Sequence, residues 1–445
     1  MSALWGPVLR AMPVPQEWVV AMTAENVIPI WKAQLQRRAG PTGEMKLVPC
    51  LENVVLILSH DADYEGCFAR NELSGETELR KKPPAVPGLL VPRLGPIDDY
   101  VLSYTRAALS TRQDIRVGAE LGASGIEAAA RQCCYNPLRD YLRSLRWDGV
   151  QRLGTWLARY LGAAQSPYTE NVGRWWLISA IARAFRPGCQ ADHVLILEGP
   201  QGAGKSSAIG ILGGAWYLGK LPPLRDYDKA AHALAGAWMV ELGEMDAFRG
   251  AASSQIKDFL TQSEDRYRPP YARYPVKQRR TCVFVGTTND AHYLRDATGA
   301  RRFWPVATGT IDRDALTRDR DALLAEAVIA FDDGAEWWPS VGDAGLTEAL
   351  TEQQEERHEG DDWVAKIAEW VEGLNVIGAP FGAGQLGDQR DGLTSGEVLK
   401  GALGVTEKDW QRDAQTRVGI ALRQIGWSPK QQREHGVRVR RYWRK

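Results

Sequence analysis

Through the middle of this chain, apolar runs of strand length alternate with amphipathic stretches, and the alternation predicts most of the elements. Val194-Leu195-Ile196-Leu197, Trp238-Met239-Val240 and Cys282-Val283-Phe284-Val285 are such runs, each closed by polar or turn residues. Helical segments fall between them, so residues 190–330 predict an α/β sheet with helices on its faces. Upstream, from Ile97 to about Phe185, apolar residues recur at three- and four-residue spacing, as in Tyr141, Leu142 and Leu145 or Trp156, Leu157, Tyr160 and Leu161. The segment Trp175–Ala182 is strongly apolar and predicts a helix packed on the sheet, ended by Arg186-Pro187-Gly188. Residues 1–95 are irregular. Within them Asn53–Leu58 reads as a strand and the Pro/Gly-rich stretch from Lys81 to Pro96 as loop. Asp61-Ala62-Asp63 follows that strand; a D-x-D strand end can hold two metals in a nucleotidyl transferase, but nothing else supports such a site and a turn is the simpler reading.

Beyond the sheet, Trp337–Ser340 reads as loop and Thr347 to about Glu356 as an acidic helix. An amphipathic helix follows, carrying Trp363, Val364, Ile367, Trp370 and Val371. Residues 373–392 hold six glycines and read as a linker. Thr394 and Ser395 can cap a short helix from Glu397 to Leu403. A second helix turns Ala414, Val418, Leu422 and Ile425 inward and Arg412, Arg417 and Arg423 outward, and Gly436–Arg440 alternates like a strand. Two helices and a hairpin predict a winged-helix-like unit. The resulting division is an N-terminal accessory region (1–95), a helical domain (96–188), an α/β core (189–335), a helical connector with its linker (336–392) and a basic C-terminal domain (393–445).

Composition changes this picture only at the margins. A chain of 445 residues is too long for one ordinary core. Hydrophobic residues make up 44% and charged residues 25%, ordinary for a globular protein, and the 17 tryptophans are mostly expected in cores. The formal net charge is +0, so nucleic-acid binding must come from local patches. Cys50, Cys67, Cys133, Cys134, Cys189 and Cys282 show no paired C-x-x-C spacing and read as reduced thiols of a cytoplasmic protein. No run is long enough to cross a membrane and the N-terminus does not read as a signal peptide.

The chemistry is concentrated after the first apolar strand. Gly199-Pro200-Gln201-Gly202-Ala203-Gly204-Lys205-Ser206 is a full G-x-x-x-x-G-K-S phosphate-binding loop in its strand-to-helix context, with Ser207 next in line. It predicts ATP binding: backbone N–H groups face the phosphates, Lys205 reaches the β/γ-phosphates, and the Ser206 hydroxyl sits on Mg²⁺. The second strand ends in Glu241-Leu242-Gly243-Glu244, where one carboxylate helps hold Mg²⁺ and the other polarises the attacking water. The third ends in Thr287-Thr288-Asn289, and Asn289 is the candidate to sense the γ-phosphate. Arg301 and Arg302, just before an aromatic strand, are candidates for an arginine finger, against the alternative of a structural ion pair. Two basic segments are candidate DNA contacts. One runs from Tyr267 to Arg280 and interleaves Tyr271, Arg273, Lys277 and Arg279 with prolines; the other, at the C-terminus, includes Arg438, Arg440 and Arg441.

The order of these motifs resembles the virulence-associated protein E-like family of phages and mobile elements, relatives of superfamily 3 and poxvirus-type primase-helicases. It consists of the phosphate loop, Glu-x-x-Glu, the basic Pro-Pro-Tyr segment, Thr-Thr-Asn, then Asp296-Ala297-Thr298-Gly299-Ala300-Arg301-Arg302-Phe303-Trp304-Pro305. Asn136–Leu142, Leu145–Leu153 and Pro187–Gln190 add to the likeness, which is clear from about residue 135 to 306. The resemblance implies an AAA+-like ATPase, commonly a hexameric ring, with ATP between subunits. Gly199, Gly204, Lys205 and Ser206 then bind nucleotide and magnesium, Glu241 and Glu244 form the acidic pair, Asn289 is the sensor, and Arg301 or Arg302 is the finger. The expected function is an ATP-dependent DNA helicase or translocase acting in replication initiation in a bacterial cytoplasm, with single-stranded or forked DNA and other replication proteins as partners. Two rivals remain: an ATP-switched DNA-binding initiator that does not unwind, and an interference protein that blocks phage replication.

Overall fold

The computed structural model describes residues 29–41, 43–243, 253–269, 274–289, 300–339, 346, 349–350, 352–353, 362–373, 392–406, 410, 412–434 and 437–444. A short helix α1 (Ile30–Ala33) and a two-stranded ribbon, β1 (Arg37–Ala39) with β2 (Met45–Leu47), come first. The helix α2 (Leu51–His60) follows, then strands β3 (Phe68–Asn71), β4 (Thr77–Leu79) and β5 (Gly95–Pro96), helices α3 (Asp99–Gln113) and α4 (Ala119–Ala130), and strand β6 (Cys134–Tyr135). The four strands form one sheet in the order β5-β4-β3-β6.

Asn53–Leu58, expected as a strand, is the middle of α2. Its β-branched residues favour a strand locally, but Asn53, Val54, Ile57 and Leu58 are the buried set, a helical spacing that packs one face inward. Asn53 ties that face down, accepting from Gln36 N at 2.8 Å and donating to Gln36 O and Val48 O. Val54 sits so close to α4 that a Cβ on Gly125 would fall 2.3 Å from its Cγ1. Asp61, after the helix, accepts from Asp63 N at 3.0 Å and from Gln113 Nε2 at 3.0 Å, the turn favoured by the sequence reading. One apolar core draws residues from Val54 to Val86 and from Val101 to Ala130.

The second layer starts with α5 (Pro137–Ser144), α6 (Trp156–Leu161) and α7 (Pro167–Phe185). Then come β7 (Val194–Glu198), α8 (Lys205–Gly213), β8 (Tyr217–Leu218), α9 (Tyr227–Leu234), β9 (Met239–Gly243), α10 (Ser253–Thr261), β10 (Glu264–Tyr267), β11 (Val276–Arg279), β12 (Val283–Thr288), β13 (Phe303–Ala307) and α11 (Arg313–Asp332). Five of these strands form a sheet in the order β13-β7-β12-β9-β8. Every pairing in it is parallel, so its strands are the near-continuous apolar runs seen in the sequence. Helix α7 starts from a capping box of Ser166 and Thr169 and is buried nearly all round. It is pinned to the sheet region by two indole bonds, Trp176 Nε1 to Phe284 O at 2.9 Å and Trp238 Nε1 to Ala180 O at 2.8 Å. This layer is an α/β core.

The last unit comprises α12 (Asp362–Val371), β14 (Leu393–Thr394), α13 (Ser395–Gly401), α14 (Arg412–Gln424) and the hairpin of β15 (Trp427–Glu434) and β16 (Val437–Arg444). Thr394 caps α13 in a capping box with Glu397, one of the two caps the sequence offers, and the helix starts two residues before the expected Glu397. Ile367, Trp370, Val398, Leu399, Val418, Leu422, Trp427 and Tyr442 share its core. The expected glycine-rich linker and most of the acidic helix lie outside the described residues.

Candidate functional site

At the carboxyl end of β7 the chain must reverse into α8, and two glycines make this possible. Gly199 has φ 151°, and a Cβ there would fall 2.7 Å from Thr308 Oγ1. Gly204 has φ 94° and precedes the first residue of α8. The loop between them lies at the N-terminal end of α8, where free N–H groups and the helix dipole favour an anion. Pro200, Gln201 and Gly202 form its exposed rim, Ala203 is half-buried, and Ser207 is exposed on α8. Lys205 is buried, and its Nζ donates to Gly199 O at 2.6 Å and Pro200 O at 2.8 Å. Burial holds its ammonium below the ordinary lysine value, against the opposing pull of Glu241.

Glu241, on β9, is 3% exposed and accepts from three hydroxyls. Ser206 Oγ and Thr287 Oγ1 both donate to Oε1 at 2.6 Å, and Tyr217 OH donates to Oε2. Sheet register explains the convergence. Glu241 pairs with Val285, so Thr287, two residues on, projects from the same face. Tyr217 pairs with Met239, which shares a face with Glu241. The Ser206 hydroxyl and the Glu241 carboxylate together suit a hard divalent cation. Among the described residues no three His, Cys, Asp or Glu side chains gather as a metal centre, so such a cation would also draw on oxygens of its ligand.

Asn289 follows β12 at the same edge and is exposed. Glu244 lies outside the described residues. Arg301 and Arg302 stand elsewhere. They occupy a 3₁₀ turn immediately before β13, whose first residue pairs with Val194 at the start of β7. The loop leaves β7 at its other end, so a strand length of roughly 16 Å separates these arginines from it within one chain. Arg301 is exposed, whereas Arg302 Nε is buried without a hydrogen bond. Beside them His193 stacks on Trp304, with ring centroids 4.1 Å apart and planes at 10°. Burial pushes the His193 pKa down to about 4.

In the basic Tyr267–Arg280 segment, Tyr267 ends β10 and Val276–Arg279 is β11, which pairs antiparallel with β10. Lys277 and Arg279 are exposed on β11, with Lys277 Nζ 3.4 Å from Glu264. Arg280 turns inward and grips Asp265 through two bonds of 2.7 and 2.8 Å. Tyr271 and Arg273 lie outside the described residues, as does the side chain of Arg438. Arg440 is exposed; Arg441 is half-buried and donates to Gly392 O at 2.8 Å. Sequence reasoning missed Tyr217, Thr287, Thr308 and Arg313 beside the loop. Thr287 carried a signal, since it lies in the strand-end Thr-Thr-Asn; Tyr217 carried none.

No curated protein matches the chain. Two solved apo structures of the NrS-1 C-terminal region align over 85% of this chain and 96% of their own, at 10% and 12% identity and TM-scores of 0.45. Among the described residues no helix is long and apolar enough to cross a membrane. Residues 142–359 match the model of the virulence-associated protein E-like domain. Loop, acidic strand end and sheet order all fall within that span, and the chain carries a domain of the virulence-associated protein E-like family.

Proposed function

We propose that this chain is an ATP-dependent DNA helicase or translocase of a phage or mobile element, acting in replication initiation on a P-loop NTPase core of the AAA+/superfamily 3 type. The observation that carries the reading is the 2.6 Å contact between Ser206 Oγ and Glu241 Oε1, beside a glycine loop closed by a buried lysine. Lys205 now spends its ammonium on two loop carbonyls; an incoming triphosphate replaces them with stronger charged partners. Ser206 and Glu241 would hold Mg²⁺, which when bound neutralises phosphate charge. Glu241 is committed to that side by its contact with Ser206, which leaves Glu244 to polarise the attacking water and Asn289 to sense the terminal phosphate. The distance from the loop to Arg301 and Arg302 in one chain supports a finger supplied across a subunit interface, hence a ring, with exposed Arg301 the better donor.

Lys277 and Arg279 on the β10–β11 hairpin, with Tyr271 and Arg273 in the same segment, would follow the DNA backbone. The C-terminal helices and hairpin form a winged-helix-like second contact through Arg438, Arg440 and Arg441. The test measures ATP turnover with and without single-stranded DNA for wild type and Glu244→Gln, with particle size in the same buffers. DNA-stimulated turnover in a ring-sized species, lost in the variant, supports a motor. Slow turnover indifferent to DNA overturns it and favours an ATP-switched initiator.

A further inference from the structure

Helix α11 begins at Arg313, beside the glycine loop. A Cβ placed on Gly204 would lie 3.6 Å from Arg313 Cδ and 3.9 Å from its Nε, so the side chain lies along the loop backbone one residue before Lys205. Arg313 is exposed, and among the described residues no carboxylate forms an ion pair with it. Its neighbours on the helix differ: Arg318 lies 3.5 Å from Asp319, and Arg320 lies 3.0 Å from Asp321.

The segment leading to Arg313 is held at several points. Thr308 Oγ1 donates to Glu198 O at 2.7 Å, Gly309 N to Leu161 O at 2.9 Å, and Asp312 N to Tyr160 O at 2.9 Å. Gly162 and Gly309 cross backbone to backbone; a Cβ on Gly309 would fall 2.6 Å from Gly162 O. Asp312 caps α11 by accepting from Ala315 N at 2.9 Å, which sets Arg313 at the first helical position. A guanidinium without an ion-pair partner among the described residues is thus presented to the mouth of the loop by a turn held at several points. A guanidinium of this kind suits phosphate oxygens, which it can meet with two parallel bonds.

The geometry points to Arg313 as a phosphate ligand from the same chain as Lys205, holding the terminal phosphates of a nucleoside triphosphate. This rests on the reading of the loop as a triphosphate site. Two arginines then have separate duties. Arg313 belongs to the chain that owns the loop, and its position is tied to α6 by the Gly162–Gly309 crossing, so binding draws on the helical layer.

The test is binding of fluorescent ATP and ADP analogues to the full chain with magnesium, for wild type, Lys205→Ala, Arg313→Gln and Arg313→Lys. Glutamine keeps most of the stem that touches Gly204 and removes the charge. The expected result is at least about a tenfold loss of ATP affinity in Arg313→Gln, a smaller loss for ADP, and partial recovery in Arg313→Lys. The loss persists when the protein is diluted below its assembly concentration, because loop and arginine are on one chain. If wild type binds ATP and Lys205→Ala does not, but Arg313→Gln binds like wild type, the Arg313 assignment is overturned and the triphosphate site stands. If wild type binds no ATP, the site reading itself fails and takes the assignment with it.

Discussion

At the carboxyl edge of the parallel sheet, Lys205 rests on two loop carbonyls and Glu241 on three neutral hydroxyls. At the amino edge, Arg280 holds Asp265 by two bonds, donates to Gln262 and Phe259 O, and lies under the Phe259 ring, while His193 lies flat on Trp304. Both edges bury ionisable groups. Only at the carboxyl edge are the partners exchangeable, since hydroxyls and loop carbonyls can turn away and be replaced by a ligand's oxygens. At the amino edge Arg280 and Asp265 are matched charge to charge and His193 ring to ring, partners that a ligand's oxygens would not replace. Buried charge by itself does not mark a site; buried charge with replaceable partners does.

The largest expected effect lies at the locked edge. Arg280→Ala leaves Asp265 buried without its cation and is expected to cost about 3–5 kcal/mol of stability, read as a fall in unfolding midpoint. Lys205→Ala should act the other way round: ATP turnover falls about a hundredfold or more, while the unfolding midpoint moves far less than in Arg280→Ala. An equal loss of stability in the two variants would erase the contrast between the edges.

His193 gives a pH signature to the amino edge. Its pKa in the fold is about 4, below the ordinary histidine value of about 6.5, so the unfolded chain takes the proton first. Stability from this group is therefore present above pH about 6.5 and is lost as pH falls toward 4, by at most about 3 kcal/mol. Thermal unfolding of His193→Gln across that range should show the slope reduced. A smaller effect is expected from Thr287→Val, which removes one of three donors to Glu241: stability falls by about 1 kcal/mol and turnover several-fold, seen in paired melting and ATPase assays. Smallest of all, Lys277→Ala should leave stability within about 0.5 kcal/mol and lower the salt dependence of single-strand binding by about one phosphate contact.

Much of the site was legible because its signals are local. Gly199 and Gly204 declare their backbone conformations, and a lysine after the second glycine needs no distant partner to be placed at the end of the loop. The sheet was legible for a related reason: a strand buried on both faces must be apolar throughout. Asn53–Leu58 was misread because a run of Val, Leu and Ile obscures its period, and contact with α4 across Gly125 favours the helix over local propensity. The basic segment at Tyr267–Arg280 was legible only as composition. Nothing in the string told Arg280, spent inside on Asp265, from exposed Arg279 beside it.

The amino-acid sequence alone determined the strand–loop–helix that carries the glycine loop, the acidic strand end and the order of the motifs, since each depends on residues a few positions apart. Tertiary structure alone decided which residues meet. Thr287 and Tyr217 reach Glu241 through the register of three strands, Arg313 reaches Gly204 through a glycine crossing with Gly162, and parallel pairing of β13 with β7 carries Arg301 and Arg302 to the opposite edge. Strand register and close backbone approach are cooperative properties of the whole core, and no local window of sequence contains them.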